Sequence, residues 1–340
     1  MRKRPSTASL LAGIRASDVL ALSRAITLVE SVLETDLAQA DELIRQCLPL
    51  AGRSTRLGIS GVPGVGKSTF IDALGMQFIE QGRRVAVLAI DPSSQQSKGS
   101  ILGDKTRMAR LSRHPSAYIR PSPAGRSLGG VARKTRESML LCEAAGFDLI
   151  IVETVGVGQS EVAVQAMVDC FVLLMLPNAG DELQGIKKGI LELVDIMLIN
   201  KADGELLPAA QQARKMYAQL LHLFSPATPD WQPPVLLTSA LKEEGLEEVL
   251  QCIAQFETHS KASGHWQKRR QQQQLYWMES TIRELLEQSF FEHPQVKQAW
   301  PACKAAVLAG ELSPVQAARK LVHSWMRDRS AGSAPATDDS

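Results

Sequence analysis

Gly61, Val62, Pro63, Gly64, Val65, Gly66, Lys67 and Ser68 follow the spacing G-x-x-x-x-G-K-S, with Thr69 next. That spacing does phosphate chemistry. Glycines let a backbone curl around an anion with its N–H groups turned inward, at dihedrals a Cβ would hinder. The helix that follows adds the positive end of its dipole. Lys67 is placed to reach β- and γ-phosphates, and the Ser68 hydroxyl to ligate Mg²⁺. The competing reading is a plain glycine turn. Against it, an apolar strand, Leu57–Ser60, precedes the loop and an amphipathic helix, Thr69–Gln81, follows. The segment predicts a nucleoside triphosphate site.

Asn200-Lys201-Ala202-Asp203 follows the apolar run 196–199. It therefore sits at the C-terminal end of a strand, where open α/β sheets bind ligands. Guanine presents N1–H and N2–H₂ donors side by side, and the Asp203 carboxylate can accept both in charge-assisted bonds. Adenine offers no such pair. Ser239, Ala240 and Leu241 close another strand and can aim backbone N–H groups at the guanine O6. The pattern predicts GTP over ATP.

Glu153 ends the run DLIIVE and begins Glu153-Thr-Val-Gly156. A carboxylate there can hold the Mg²⁺ shell through water, or serve as a structural charge. A small GTPase commonly has Asp first and Gln just after the Gly. Here Val157 occupies that place and Gln159 lies two residues on, which predicts slow intrinsic hydrolysis. Asp91 and Asp104 bound the polar stretch 92–103, a candidate switch; each is either metal-linked or a loop cap. A second charged stretch, Asp181-Glu182-Leu-Gln184-Gly-Ile-Lys187-Lys188-Gly189, follows the run 171–176 and reads as a further switch or a solvated helix start.

These residues need a scaffold. Short apolar runs at 57–60, 85–90, 148–153, 171–176, 196–200 and 235–240 alternate with longer amphipathic stretches. Several are apolar at nearly every position, as in strands buried on both faces of a parallel sheet. The spacing predicts an α/β fold with a doubly wound, mostly parallel sheet. Residues 7–52 read as helical, with Leu22, Ile26, Val29 and Leu33 on one stripe and Ser17 as its cap. The pattern turns helical again near Lys261. A helix is expected over Gln271–Phe291, and another from Ser313-Pro314-Val315-Gln316, a capping box followed by Val315, Ala318, Val322 and Trp325 on one face. The organisation expected is an N-terminal helical extension (1–52), a nucleotide domain (53–257), a C-terminal helical arm (258–328) and a disordered tail (329–340).

Composition excludes other classes. Lys and Arg number 38 against 36 Asp and Glu, a net +2, so no basic excess exists to release phosphate counterions from nucleic acid. No apolar run nears the roughly 20 residues that span a bilayer, and the start lacks a secretory h-region. The five cysteines are scattered without C-x-x-C spacing and read as isolated buried thiols. A cytoplasmic globular protein is expected, with neither nucleic acid nor membrane as partner.

Taken together, GVPGVGKST, DPSS, SILGDKTRM, RPSPAG, IVETVGVGQSE, AGDELQGIKKG, NKAD and TSAL resemble, in order and spacing, the methylmalonyl-CoA mutase-associated GTPases of MeaB/ArgK type, a metallochaperone branch of P-loop GTPases. The likeness covers about residues 10–325. It implies a homodimeric GTPase chaperone, using GTP/GDP and Mg²⁺, that gates adenosylcobalamin delivery to an acyl-CoA mutase and protects it. The C-terminal arm would dimerise. By position, Lys67, Glu153, Asp104 and Lys187 would be catalytic, Ser68, Asp91, Asp104 and Glu153 metal-linked, and residues 177–189 a third switch with Lys187 sensing nucleotide. The chain departs from the family pattern at Lys98-Gly99, where a Gly-Gly pair is usual, and at Asn178, where Gly is common. Two rivals remain. One is a nickel-insertion GTPase, although the six histidines are scattered. The other is a P-loop kinase linked to amino-acid transport, a role for which NKAD makes no sense because adenine lacks the paired donors.

Overall fold

The structure is a computed structural model that describes residues 5–31, 33–90, 107–121, 128–154, 160–177 and 188–331. Three helices open the chain: α1 (Thr7–Arg15), α2 (Val19–Val29) and α3 (Glu34–Cys47). Leu22, Ile26 and Val29 are buried as expected, but Leu33 lies beyond α2 and is 52% exposed. The cap of α2 is Asp18, whose carboxylate accepts from Leu20 N at 2.8 Å. Ser17 cannot serve, because its φ of 59° is left-handed and a cap needs extended backbone.

Seven strands form one parallel sheet: β1 (Thr55–Gly61), β2 (Val85–Ile90), β3 (Ala117–Pro121), β4 (Leu149–Thr154), β5 (Cys170–Met175), β6 (Ile196–Ile199) and β7 (Val235–Leu237). Their order is β3-β2-β4-β1-β5-β6-β7, and every paired neighbour is parallel. The apolar runs of the sequence predict all of these but β3. The missed strand is an edge strand whose Arg120 and Pro121 interrupt the apolar pattern. Residues alternate between two apolar layers. Leu57, Ile59, Leu149, Ile151, Val172 and Leu174 pack with Phe70, Leu74 and Phe78 of α4 (Lys67–Glu80) and with Val249, Ile253 and Phe256 of a later helix, Leu246–Ala262. Ile150, Val152, Phe171 and Leu173 join the opposite layer with the N-terminal helices, α5 (Leu128–Ala144) and the helix Leu207–Leu221. A sheet buried on both faces is what the near-continuous apolar runs require.

The sheet order turns at β1. Strands β4, β2 and β3 lie to one side of it and β5, β6 and β7 to the other. The loop after β1 therefore opens at a topological switch point. Short helices α6 (Ser160–Gln165) and α7 (Lys188–Leu191) flank β5, and α8 (Leu207–Leu221) and α9 (Leu246–Ala262) follow β6 and β7. Below the sheet, Glu143 of α5 accepts from Arg56 Nε at 2.8 Å, Ser54 Oγ at 2.6 Å and Gly52 N at 2.7 Å. Arg270 of α10 (His265–Phe291) donates to Asp169 Oδ2 at 2.6 Å and to the carbonyls of Gly52 and Ser54. This helix starts earlier than the predicted Gln271.

Residues Met1–Tyr276 form one compact unit and Trp277–Ser340 another. In the second, α11 (Pro294–Leu308) and α12 (Pro314–Ala331) enclose Val296, Cys303, Ala317 and Leu321. The capping box is present: Ser313 Oγ accepts from Gln316 N at 3.2 Å and Gln316 Oε1 accepts from Ser313 N at 3.1 Å. The buried face is rotated from the predicted one. Ala317 and Leu321 point inward and Trp325 of the predicted stripe packs against them, while Val315 is 60% exposed. All five cysteines are free and buried, and among the described residues no helix is long and apolar enough to cross a membrane.

Candidate functional site

The loop after β1 depends on glycine. Gly66 has φ +94° as the residue before α4, and a Cβ there would stand 2.8 Å from Asn200 Nδ2. At Gly61 a Cβ would come within 2.5 Å of the Leu174 carbonyl of β5. Both positions thus exclude a side chain, Gly66 on conformation as well as space. Val62 and Val65 turn into the core and anchor the loop, while Pro63 and Gly64 face solvent.

Lys67, on the first turn of α4, is only 8% exposed. Its ammonium donates to Gly61 O at 2.8 Å and Val62 O at 3.2 Å, so it fills the concave side of the loop. Burial pushes its pKa below the ordinary lysine value; Glu153 and Glu161 oppose that, and Arg107 adds to it. Ser68 Oγ donates to Glu153 Oε1 at 3.2 Å, where Glu153 is the buried penultimate residue of β4. A hydroxyl and a carboxylate oxygen side by side are the hard donors Mg²⁺ takes while keeping water and phosphate in its other positions. The donor set fits that ion. Thr69 is exposed on the outer side of α4.

Asn200 binds the two halves of the site together. It is 1% exposed, its Nδ2 donates to Val65 O at 2.7 Å and its Oδ1 accepts from Ala240 N at 3.1 Å. Spacing alone does not reveal that crossing. Lys201 takes φ 61° and is exposed, which turns the chain so that Asp203 faces the next loop. Asp203 accepts from the Ser239 hydroxyl, and Lys242 Nζ stands 3.7 Å from its other oxygen. Ala240 is buried, whereas Leu241 is 83% exposed. The loop is closed by Ser239 and Glu244, which exchange backbone bonds at 3.0 and 3.1 Å.

The fold thus brings Gly61–Ser68, Glu153, Asn200, Asp203, Ser239 and Ala240 to one edge of the sheet. Asp91, Lys98, Asp104, Gly156, Val157, Gln159, Asn178 and Lys187 lie outside the described residues. Glu161, for which spacing alone indicates no role, is fully buried on α6 and acts electrostatically on Lys67. Its place in ETVGVGQSE was the available signal.

Comparison with known proteins gives consistent matches. A family model described as methylmalonyl Co-A mutase-associated GTPase MeaB matches residues 22–295. A probable GTPase of Mycobacterium tuberculosis is 50% identical over 313 residues, covering 92% of this chain and 93% of its own length. The mitochondrial methylmalonic aciduria type A homolog of Mus musculus is 45% identical over 314 residues, covering 89% of this chain and 76% of its own. A crystal structure described as LAO/AO transport system kinase superposes with a TM-score of 0.75 at 38% identity, over 95% of this chain and 98% of that one.

Proposed function

The chain belongs to the methylmalonyl-CoA mutase-associated GTPase MeaB family, and from that premise we propose that it binds GTP with Mg²⁺, hydrolyses it slowly, and uses the cycle to gate adenosylcobalamin delivery to, and protect, an acyl-CoA mutase such as methylmalonyl-CoA mutase. The observation that carries the nucleotide reading is the Asn200 bridge, which joins the phosphate loop at Val65 to the base-side loop at Ala240.

In this reading Lys67 leaves the carbonyls of Gly61 and Val62 for the β- and γ-phosphates. The backbone N–H groups of 61–67 and the start of α4 take up the remaining phosphate charge. Ser68 would hold Mg²⁺ directly and Glu153 through water; when bound, the ion neutralises charge on the phosphates. Asp203 accepts the two guanine donors, with the Ser239 hydroxyl keeping its carboxylate turned toward them. Asp91, Asp104 and Lys187 belong to the metal and switch machinery by family position, with 177–189 as the segment that passes the nucleotide state to the mutase.

The arm 258–328 is proposed to form a homodimer. Support comes from Met278, Ile282, Leu285 and Leu286, exposed at helical spacing on α10. The base reading is tested by Asp203→Asn. GTP affinity should fall sharply and xanthosine triphosphate, whose O2 accepts where guanine donates, should become the better ligand. An unchanged GTP affinity would remove the assignment.

A further inference from the structure

Arg110 is a guanidinium shared between the two sides of the nucleotide site. Met108 and Leu111 beside it are fully buried against the layer containing α4. The contact with α4 is close: a Cβ on Gly75 would stand 2.7 Å from Leu111 Cδ1. Asp72 of α4, one turn beyond Ser68, takes three donors from this segment: Arg110 N at 3.1 Å, Leu111 N at 3.0 Å and Arg110 Nε at 2.8 Å. The other end of the same guanidinium, Nη1, donates to Glu243 Oε1 at 2.5 Å. Glu243 lies in the closed loop 239–244 and takes φ 61°, a left-handed conformation a non-glycine residue adopts at a cost. The same loop supplies Ser239 and Lys242 to Asp203.

The loop that presents Asp203 and Ala240 to the base is therefore braced from two directions. Asp203 and Asn200 hold it from β6. Arg110 holds it from α4, the helix that carries Lys67 and Ser68. We propose that Arg110 is a positioning residue for base specificity: through Glu243 it fixes loop 239–244 against the phosphate-binding helix, so that guanine is read in register with the phosphates. This rests on the GTP reading above. Arg110 contacts no nucleotide atom in this account; it acts through the loop. Its side chain is 46% exposed and that of Glu243 39% exposed, so the ion pair contributes little to global stability. Its effect is local.

The test compares binding of GTP and of inosine triphosphate, which lacks the guanine 2-amino donor, to the full chain and to Arg110→Gln, Glu243→Gln and the double variant. The wild type should prefer GTP. Either single change should shrink the GTP-to-inosine preference by about three- to fivefold, and the double variant should shrink it no further than a single one. A purely structural role would weaken both nucleotides equally and leave the ratio intact, and that result would overturn the proposal. So would singles whose effects add in the double variant. A wild type that binds both nucleotides alike would refute the base reading itself, whereas a discriminating wild type with unaltered ratios in the variants refutes only the role of Arg110. Thermal melts of each variant confirm that the comparison is between folded proteins.

Discussion

Replacing Lys67 by Met keeps the apolar stem and removes the ammonium. That ammonium makes two bonds to loop carbonyls, at 2.8 and 3.2 Å, on a residue only 8% exposed. On the proposed reading GTP would replace these carbonyls by anionic phosphate oxygens. The hydrogen bonds themselves are exchanged like for like; what is added is a charge–charge attraction, about 1–2 kcal/mol per contact at a partly solvated site. Two contacts give a net of about 2–4 kcal/mol. Lys67→Met should therefore weaken GTP by roughly 30- to 700-fold. Stability should move little, because the lost carbonyl bonds are offset by relief of a desolvated charge; the change should stay within about 1 kcal/mol, a few degrees of melting temperature.

The pH dependence has a definite sign. Folding lowers the pKa of Lys67 below 10.5. Between the folded and unfolded values the unfolded chain binds more protons, so the ligand-free wild type gains stability as pH rises through that window. The Met variant should lack that gain. Calorimetric titration with GTP, and melts across the alkaline range without nucleotide, read both effects. GTP affinity within threefold of wild type, or a collapsed melt at neutral pH, would refute the reasoning.

Two other perturbations test the scaffold. Burial raises the Glu143 carboxyl, but the charge and bonds of Arg56, with Ser54 and Gly52, outweigh it and hold the pKa below the ordinary value. Its contribution is therefore present above the unfolded value of 4.5 and lost as pH falls through the folded one. Glu143→Gln should cost about 2 kcal/mol at pH 7 by removing the carboxylate bonded to Arg56 and leaving only Asp169 to balance it, and the gap in melting temperature from wild type should close in acid; a gap independent of pH would contradict the pairing. Gly66→Ala meets both a left-handed φ and the Asn200 amide at 2.8 Å, so GTP affinity should drop by at least about tenfold with only a modest loss of stability; equilibrium binding that matches wild type would show that the loop has room to spare.

Much of this architecture is written locally. Strands such as 85–90 and 171–176 are apolar on both faces, so their burial in a parallel sheet could be read from composition alone. β3 could not, because an edge strand needs fewer apolar positions, and only Tyr118 and Ile119 of its residues are buried. Asp18 displaced Ser17 as a cap because backbone conformation, not residue type, decided between two adjacent candidates. On α12 the sequence pattern places Val315, Ala318, Val322 and Trp325 on one face; packing against α11 keeps Trp325 but buries Ala317 and Leu321 instead of the others. The phosphate loop and NKAD were legible because their chemistry demands a fixed spacing. Their connection was not. Asn200 reaches Val65 across 135 positions of sequence, and Arg110 reaches Glu243 across 133. Only folding brings such pairs together, and the inward turn of Lys67 onto its own loop likewise depends on the glycine dihedrals around it.

If the nucleotide cycle serves a mutase, GTP turnover by the purified protein should respond to an adenosylcobalamin-dependent acyl-CoA mutase from the same source. Turnover should be slow for the protein alone and rise severalfold when the mutase is added. Normal GTP binding with turnover unmoved by the mutase would contradict that role and leave a GTPase whose partner lies elsewhere.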